Sequence, residues 1–386
     1  MNFLKGVRLK FERRRMVSPA KLVLARVLSL LIALVLGGLF LAAIGADPLR
    51  TYAAMLAGAF GSPSQWMRGE FYNISETLVK AIPIILSSLA VLVAFRMLFW
   101  NIGADGQFAM GAFAATGVAL FLPQALPWLP TVLYLPLMAL AGFFVAAAWG
   151  LIAAVLKLFF GVNEIISTLM LNYIAILFVE HLFFGPWQDP GAMGFPATAF
   201  FPEFARLPRL FGRVHFGLVI ALVAAVVLWL WLDFTAKGYE IKVIGRNRAA
   251  ARYAGMSLVR NTVLVMAVSG GLAGIAGMGE VSGLAYRLQQ GVLLGYMSTA
   301  IITAWLANLR IWPAVFVSVI MAALIVGGEQ LQIAFGLPAA VALVLQGLIL
   351  FAVLGGEFFL RYRVQLISEP KQERERLEVQ EERVEP

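Results

Sequence analysis

Apolar residues in this chain arrive in blocks of 15 to 27 without a single Asp, Glu, Lys or Arg between them. About 20 consecutive apolar residues cross ~30 Å of hydrocarbon as a helix, and within lipid the backbone must satisfy its own hydrogen bonds, so such blocks specify membrane-spanning helices. Of 386 residues, 61% are hydrophobic and 13% charged, against about 25% charged in soluble domains. One integral membrane domain is therefore expected, and soluble, disordered and coiled-coil classes are excluded. With no cysteine and two histidines, disulfides, thiolate chemistry, iron–sulfur clusters and Cys/His zinc sites are excluded as well, and no metal site is expected.

Ten spans are expected, at about 22–44, 78–99, 106–122, 131–158, 165–185, 215–233, 261–280, 292–309, 313–334 and 338–359. The first follows a basic stretch that could open a signal peptide, but its 23 residues exceed the 7–15 of a signal core, so it reads as an uncleaved helix. Ten spans put both termini on one side. With the basic N-terminus cytoplasmic, 23 of the 30 Lys and Arg fall inside, and seven (Arg50, Arg68, Lys80, Arg206, Arg209, Arg213 and Arg287) fall outside. This obeys the positive-inside rule and accounts for the net charge of +9 without nucleic acid. The expected fold is all-α, with a basic cytoplasmic N-terminus at 1–21, a transmembrane domain at 22–360 and a charged cytoplasmic tail at 361–386. Two outer stretches, 45–77 and 186–214, carry aromatics and prolines suited to loops on the bilayer surface.

Four segments depart from a lipid-facing pattern. Residues 99–111 place Gly103, Gly106 and Gly111 around Asn101, Asp105 and Gln107. Broken backbone at membrane depth must be buried in protein or line a wet cavity. A carboxylate there is costly and a functional candidate, although Asp105 could instead lie in a turn near Arg96 and cap the next helix. Glu164, Thr168 and Asn172 then follow at i, i+4 and i+8, on one helical face with Ser167 beside them. That stripe reads equally as a pathway or as interhelical hydrogen bonding, with Asn163 available as an N-terminal cap.

Residues 237–260, the largest internal cytoplasmic loop, hold six basic residues and a helix-prone run from Arg248 to Ala254. Its alanines make a smooth basic helix suited to docking a partner protein, or to lying on anionic lipid. The fourth segment has Gly270, Gly274 and Gly277 with Ala273 at helical spacing, which permits close packing, and it ends at Glu280. The Gly-rich continuation to 295 reads as a re-entrant segment. Broken elements in each half resemble the paired discontinuous helices of transporters. Glu329 and Glu357 complete the membrane-depth acids, and none has a basic residue in its own span. Walker A, His-Glu-x-x-His and Gly-x-Ser-x-Gly motifs are absent. His181 and His215 read as structural imidazoles at outer helix ends.

These segments resemble the permease subunits of bacterial ABC importers for nucleosides and simple sugars. Residues 100–112 match that family's Asn-Ile-Gly-Ala-Glu-Gly-Gln signature, with Asp105 in place of Glu. Residues 162–175, VNEIISTLMLNYIA, match its polar helix, and 245–256 match its coupling loop at Gly245, Asn247, Ala250, Ala251, Tyr253, Ala254 and Gly255. The resemblance extends over about residues 75–355. It implies a second homologous permease, an ABC ATPase with two nucleotide-binding domains that carries the ATP and Mg, an extracytoplasmic binding lipoprotein, and residence in the bacterial inner membrane. The expectation is thus a non-enzymatic transport subunit for nucleosides. Asn101, Asp105, Gln107, Asn163, Glu164, Ser167, Thr168, Asn172, Glu280 and Gln330 would line the path, and 245–255, with Arg246, Arg248 and Arg252, would couple to the ATPase. Alternatives are a permease for ribose-like sugars, an ion-coupled secondary transporter using Asp105, Glu164 or Glu280, and an intramembrane enzyme. The last is disfavoured because no nucleophile and base can be paired.

Overall fold

A computed structural model describes residues 7–13, 19–292, 295–338 and 340–368, with side chains absent from the description at 7–23, 25–27, 30, 353–354 and 357–368. Most of the expected N-terminal stretch and charged tail, and the side chain of Glu357, lie outside the described residues. The chain divides into two units, Met1–Thr51 with Leu343–Pro386, and Tyr52–Ala342. In the first, strand β1 (Val7–Arg13) pairs antiparallel with a strand at Tyr362–Ser368, Val7 opposite Ser368 and Arg13 opposite Tyr362. Helix α1 covers Pro19–Ala43, exposes Leu31, Val35 and Leu39, and buries Ala33 and Leu41.

The remaining helices are α2 (Pro48–Phe60), α3 (Pro63–Met67), α4 (Tyr72–Arg96), α5 (Ala104–Ala125), α6 (Tyr134–Phe160) and α7 (Glu164–Phe184). A short ribbon of β2 (Arg209–Phe211) and β3 (Val214–His215) leads into α8 (Gly217–Phe234), α9 (Ala236–Arg246), α10 (Arg248–Tyr253) and α11 (Leu258–Glu280). Helices α12 (Tyr296–Leu306), α13 (Ile311–Phe335) and α14 (Ala340–Arg361) follow, and the C-terminal strand is β4. Among the described residues, seven helical stretches are long and apolar enough to span: α4, α5, 131–160, α7, α8, 258–285 and α13. Helix α3 has a full capping box, with Ser62 and Gln65 bonded reciprocally. Asn163, Thr235, Asn247 and Ser257 cap α7, α9, α10 and α11.

Helix α4 is the hub. It is 89% buried, against 28% for α7 and α8, which fits a helix apolar on every side surrounded by others. Helices α5, α6 and α11 pack backbone to backbone. A Cβ on Gly111 would overlap Gly274, one on Gly274 would overlap the Gly142 carbonyl, and one on Gly277 would overlap that of Phe108. Only glycine permits that approach, in line with the expected small-residue stripe.

Contacts at the two ends of this unit separate cleanly. At one end, Arg213 pairs with Glu76 at 2.9 Å and the Leu207 amide donates to the Ser282 carbonyl at 2.8 Å. At the other, Arg96 donates from Nε to the Leu309 carbonyl at 2.8 Å and from Nη1 to Asp233 at 3.0 Å, and Gly245 lies against the Arg96 carbonyl. These are the groups assigned above to the outer and inner faces.

The structure departs from expectation at both predicted breaks. The first break is a non-helical stretch confined to about 99–103, and the helix is continuous from Ala104. At the second, α11 runs into a π turn at Val281–Ala285, and a non-helical stretch leads to α12, which has 11 residues and is too short to span alone. Ser282 lies at the outer end and Leu309 at the inner end. Residues 286–309 therefore run from one end of the unit to the other, non-helical where described up to Gly295 and helical from Tyr296 to Leu306, and this broken crossing stands where a re-entrant segment and a span at 292–309 were expected. Two short β pairs also qualify the all-α expectation.

Candidate functional site

In the non-helical stretch at 99–103 the Asn101 amide donates to the Phe99 carbonyl at 3.0 Å and the Gly103 amide to Asn101 Oδ1 at 3.3 Å, and polar side chains from neighbouring helices supply further partners. Asn101 and Gln107 form a reciprocal amide pair, at 2.9 and 3.1 Å. Asn101 also donates to Ser269 Oγ at 3.0 Å, and Ser269 donates to the Ala90 carbonyl at 2.7 Å. This one network joins the stretch to α4, α5 and α11. From α7, Thr168 Oγ1 accepts the Ile102 amide at 3.2 Å and Asn172 Oδ1 accepts the Gly106 amide. Gly103 and Gly106 allow this contact, since a Cβ on either would run into the α7 backbone at Thr168 and Asn172. Ser167 is buried and donates to the Glu164 carbonyl at 3.3 Å. Within the polar stripe of α7, Ser167, Thr168 and Asn172 thus bond backbone groups.

The predicted acids divide. Glu164 pairs with Lys157 from the end of α6. Asn163 is the exposed cap of α7, donated to by the Ile165 amide at 2.9 Å. Gln330 packs its stem against Gly58. Asp105 and Glu280 meet instead at the start of α12. Asp105 Oδ1 accepts the Met297 amide at 3.1 Å, and Tyr296 Oη donates to Glu280 at 3.1 Å. The N-cap of α12 is Gly295, at φ +94° and with no capping side chain, so Asp105 supplies the cap from across the bundle. Asp105 therefore does cap a helix, but a distant one, and the Arg96 expected beside it is engaged by Asp233. The Tyr296 ring lies 5.8 Å from that of Phe108. Two carboxylates and two aromatic rings converge where the broken crossing changes from loop to helix. Such groups can accept from hydroxyl or amide donors and pack a planar ring.

Sequence reasoning did not find Tyr296, Met297 or Ser269, which are remote in sequence from their partners. Glu329 does have a basic neighbour, Lys80 at 3.6 Å, supplied by a different helix.

Over the outer half of the crossing, the stretch at 197–207 is laced to 282–289. Thr198 exchanges bonds with Leu288 at 2.9 and 3.0 Å, and the Phe201 amide donates to the Tyr286 carbonyl at 2.8 Å. Arg287 lies over Phe195 and Phe200 at 5.2 and 4.5 Å. This outer stretch is a cover on the crossing, more than the bilayer-surface loop expected.

At the inner end, α10 spans Arg248–Tyr253, close to the expected helix. Asn247 Oδ1 accepts the Ala249 and Ala250 amides, both at 3.0 Å. Ala251 is buried, Arg248 reaches the Leu98 carbonyl at 3.3 Å, and Gly255 turns the chain at φ +75°. Arg246, Ala250, Arg252 and Ala254 are exposed, and Tyr253 is 98% exposed. The tip of this basic helix thus presents a large bare aromatic side chain.

The sequence pattern described as "Branched-chain amino acid transport system / permease component" matches residues 73–354. The chain belongs to this family of permeases. It is 36% identical over 372 residues to the glucose ABC transporter permease protein TsgB13 of Haloferax volcanii, covering 93% of this chain and 94% of that one. It is 30% identical over 341 residues to the guanosine ABC transporter permease protein NupP of Bacillus subtilis, covering 87% and 94%. The nucleoside ABC transporter permease protein NupB of Lactococcus lactis is 29% identical over 272 residues, covering 68% and 71%. The resemblance drawn from residues 100–112, 162–175 and 245–256 is borne out, and the matched span is close to the 75–355 expected. This permease is a multi-pass membrane protein and a transport component.

Proposed function

We propose that the permease forms the translocation path of an ATP-driven nucleoside importer in the bacterial inner membrane, paired with a second homologous permease. An ABC ATPase with two nucleotide-binding domains would carry ATP and Mg, and a binding lipoprotein would deliver solute to the outer cover at 186–214. Ten crossings would result if α1, α14 and the broken crossing at 286–309 joined the seven helical stretches that are long and apolar enough to span. Both termini would be cytoplasmic, a reading supported by the pairing of β1 with β4.

The observation that carries the solute reading is the meeting of Asp105 and Glu280 at Tyr296 and Met297. Carboxylates accept ribose hydroxyls, and the Phe108–Tyr296 pair provides an aromatic surface for a base. Asn101, Gln107, Ser167, Thr168 and Asn172 would hold the frame behind that path, with Asn163, Glu164 and Gln330 nearer its ends. ATP-driven movement of the partner would act through 245–255, and rigid-body rotation would alternate access.

A second reading, a simple-sugar importer, is favoured by the glucose permease at 36% identity. Uptake of labelled guanosine, uridine, ribose and glucose by a strain lacking this chain separates the two. Nucleoside accumulation should fall to background while glucose and ribose uptake persist. Loss of sugar uptake with nucleoside uptake intact would replace the first reading by the second.

A further inference from the structure

We infer that the inner end of the permease carries a binding cleft for the headgroup of an anionic phospholipid. The cleft, of about 750 Å³, lies between the C-terminal ends of α4 and α8, one face of α9 and the turn joining α12 to α13. Arg96, Lys242, Arg246 and Arg310 line it, and its one acid, Asp233, is already engaged by Arg96 at 3.0 Å. Lys242, Arg246 and Arg310 make no ion pair among the described residues. Three cations around one concavity, beyond the paired Arg96 and Asp233, constitute a site for an anion.

Charge alone would suit a soluble phosphate equally, and the rest of the lining selects the lipid. Trp229 and Trp312 form a wall of the cleft, their rings 6.2 Å apart and edge to face. From Trp312 an exposed apolar row continues along α13 through Phe316 and Ile320, while α8 exposes Val223, Val227 and Leu230. Tryptophan belongs at the headgroup level, and such rows face hydrocarbon. A phosphodiester resting on Lys242 and Arg310 would have its acyl chains beside those rows. A water-borne phosphate would leave them unused. Basic pockets between spans on the cytoplasmic side are the setting in which anionic headgroups bind.

The cleft adjoins the proposed ATPase contact at 245–255 and shares Gly245 and Arg246 with it, whereas Lys242 and Arg310 lie outside that segment. Lys242, Gly245 and Arg246 occupy one face of α9, whereas Ala236, Lys237 and Glu240 face a separate recess of about 370 Å³ with Ala254, Gly255 and Met256. Arg96 also fixes the roof, through its bond to the Leu309 carbonyl at 2.8 Å. There the chain turns through two consecutive left-handed residues, Asn308 and Leu309, at φ +51° and +54°. Lipid in the cleft would brace that turn and, through it, the inner half of the broken crossing.

Full-length permease in detergent, titrated with phosphatidylglycerol or phosphatidylcholine and read by native mass spectrometry, tests the assignment. A basic residue near an anionic headgroup contributes a factor of about five. Phosphatidylglycerol should therefore bind the wild type at least ~10-fold more tightly than phosphatidylcholine, and Lys242→Gln with Arg310→Gln should remove that preference. The charge-keeping pair Lys242→Arg with Arg310→Lys should retain it. Equal binding of the two lipids by the wild type, which needs no variant, would overturn the proposal. So would a neutralised double variant that binds like the wild type, or displacement of the lipid by inorganic phosphate at equal concentration.

Discussion

His215 shows how one side chain is set by the residues around it. It is 1% exposed, and its Nδ1 accepts the Gly217 amide at 3.2 Å. The ring fills a slot between Gly217 and Gly283, where a Cβ on either glycine would overlap it. Burial lowers its pKa from the ordinary 6.5 to about 4. The folded chain therefore holds the imidazole neutral, while the unfolded chain takes up a proton below pH 6.5. The stability is complete above that value and is lost as pH falls toward 4, by about 3 kcal/mol in all. Between pH 7 and 5 the unfolding midpoint of the wild type should drop more than that of His215→Gln, and parallel curves would contradict this. The structural role of this histidine was legible from its place at a helix end, but the glycine slot was not, because Gly283 is 68 positions away. Asp105 follows the same pattern: the sequence marks a costly carboxylate, and only the fold supplies Met297 as its partner.

Among the elements, α11 was the most legible. Gly270, Gly274 and Gly277 announced a close helix contact, and these positions meet the backbones of α5 and α6. Gly279 lies on the same helix with open space beyond it. Gly274→Ala should cost more than the ~1–3 kcal/mol of ordinary overpacking, because it meets backbone that cannot yield, whereas Gly279→Ala should fold normally. Comparing the monodisperse yield and unfolding midpoint of the two variants checks this, and equal tolerance would refute the packing. The broken crossing was less legible. Hydropathy registers apolar residues without their path, so 292–309 looks like a full span although Gly291 and Gly295 take positive φ and the helix begins only at Tyr296. Likewise, the α7 stripe fixes which residues share a face, but not that Thr168 and Asn172 meet the 102–106 backbone.

At the scale of the whole molecule, the charge distribution carried the most information. Sorting basic residues by side assigned Arg96, Arg246, Arg248 and Arg310 to one face and Arg206, Arg209 and Arg213 to the other, and the contacts at the two ends of the Tyr52–Ala342 unit group them in the same way. The exposed Tyr253 on α10 and the carboxylates at the start of α12 give this unit a candidate input for work at one end and a candidate solute contact within. In the proposed importer another chain supplies the energy. Solute uptake into proteoliposomes tests this most directly, comparing this permease alone under a proton or Na+ gradient with the assembled complex supplied with ATP on the ATPase side. The chain alone should show no gradient-driven uptake, the complex should show ATP-dependent uptake, and replacing Arg252 or Tyr253 by Ala should lower it at least ~10-fold, the size of effect expected of an interface hot spot. Gradient-driven uptake by the permease alone, indifferent to ATP, would contradict an energy supply from another chain.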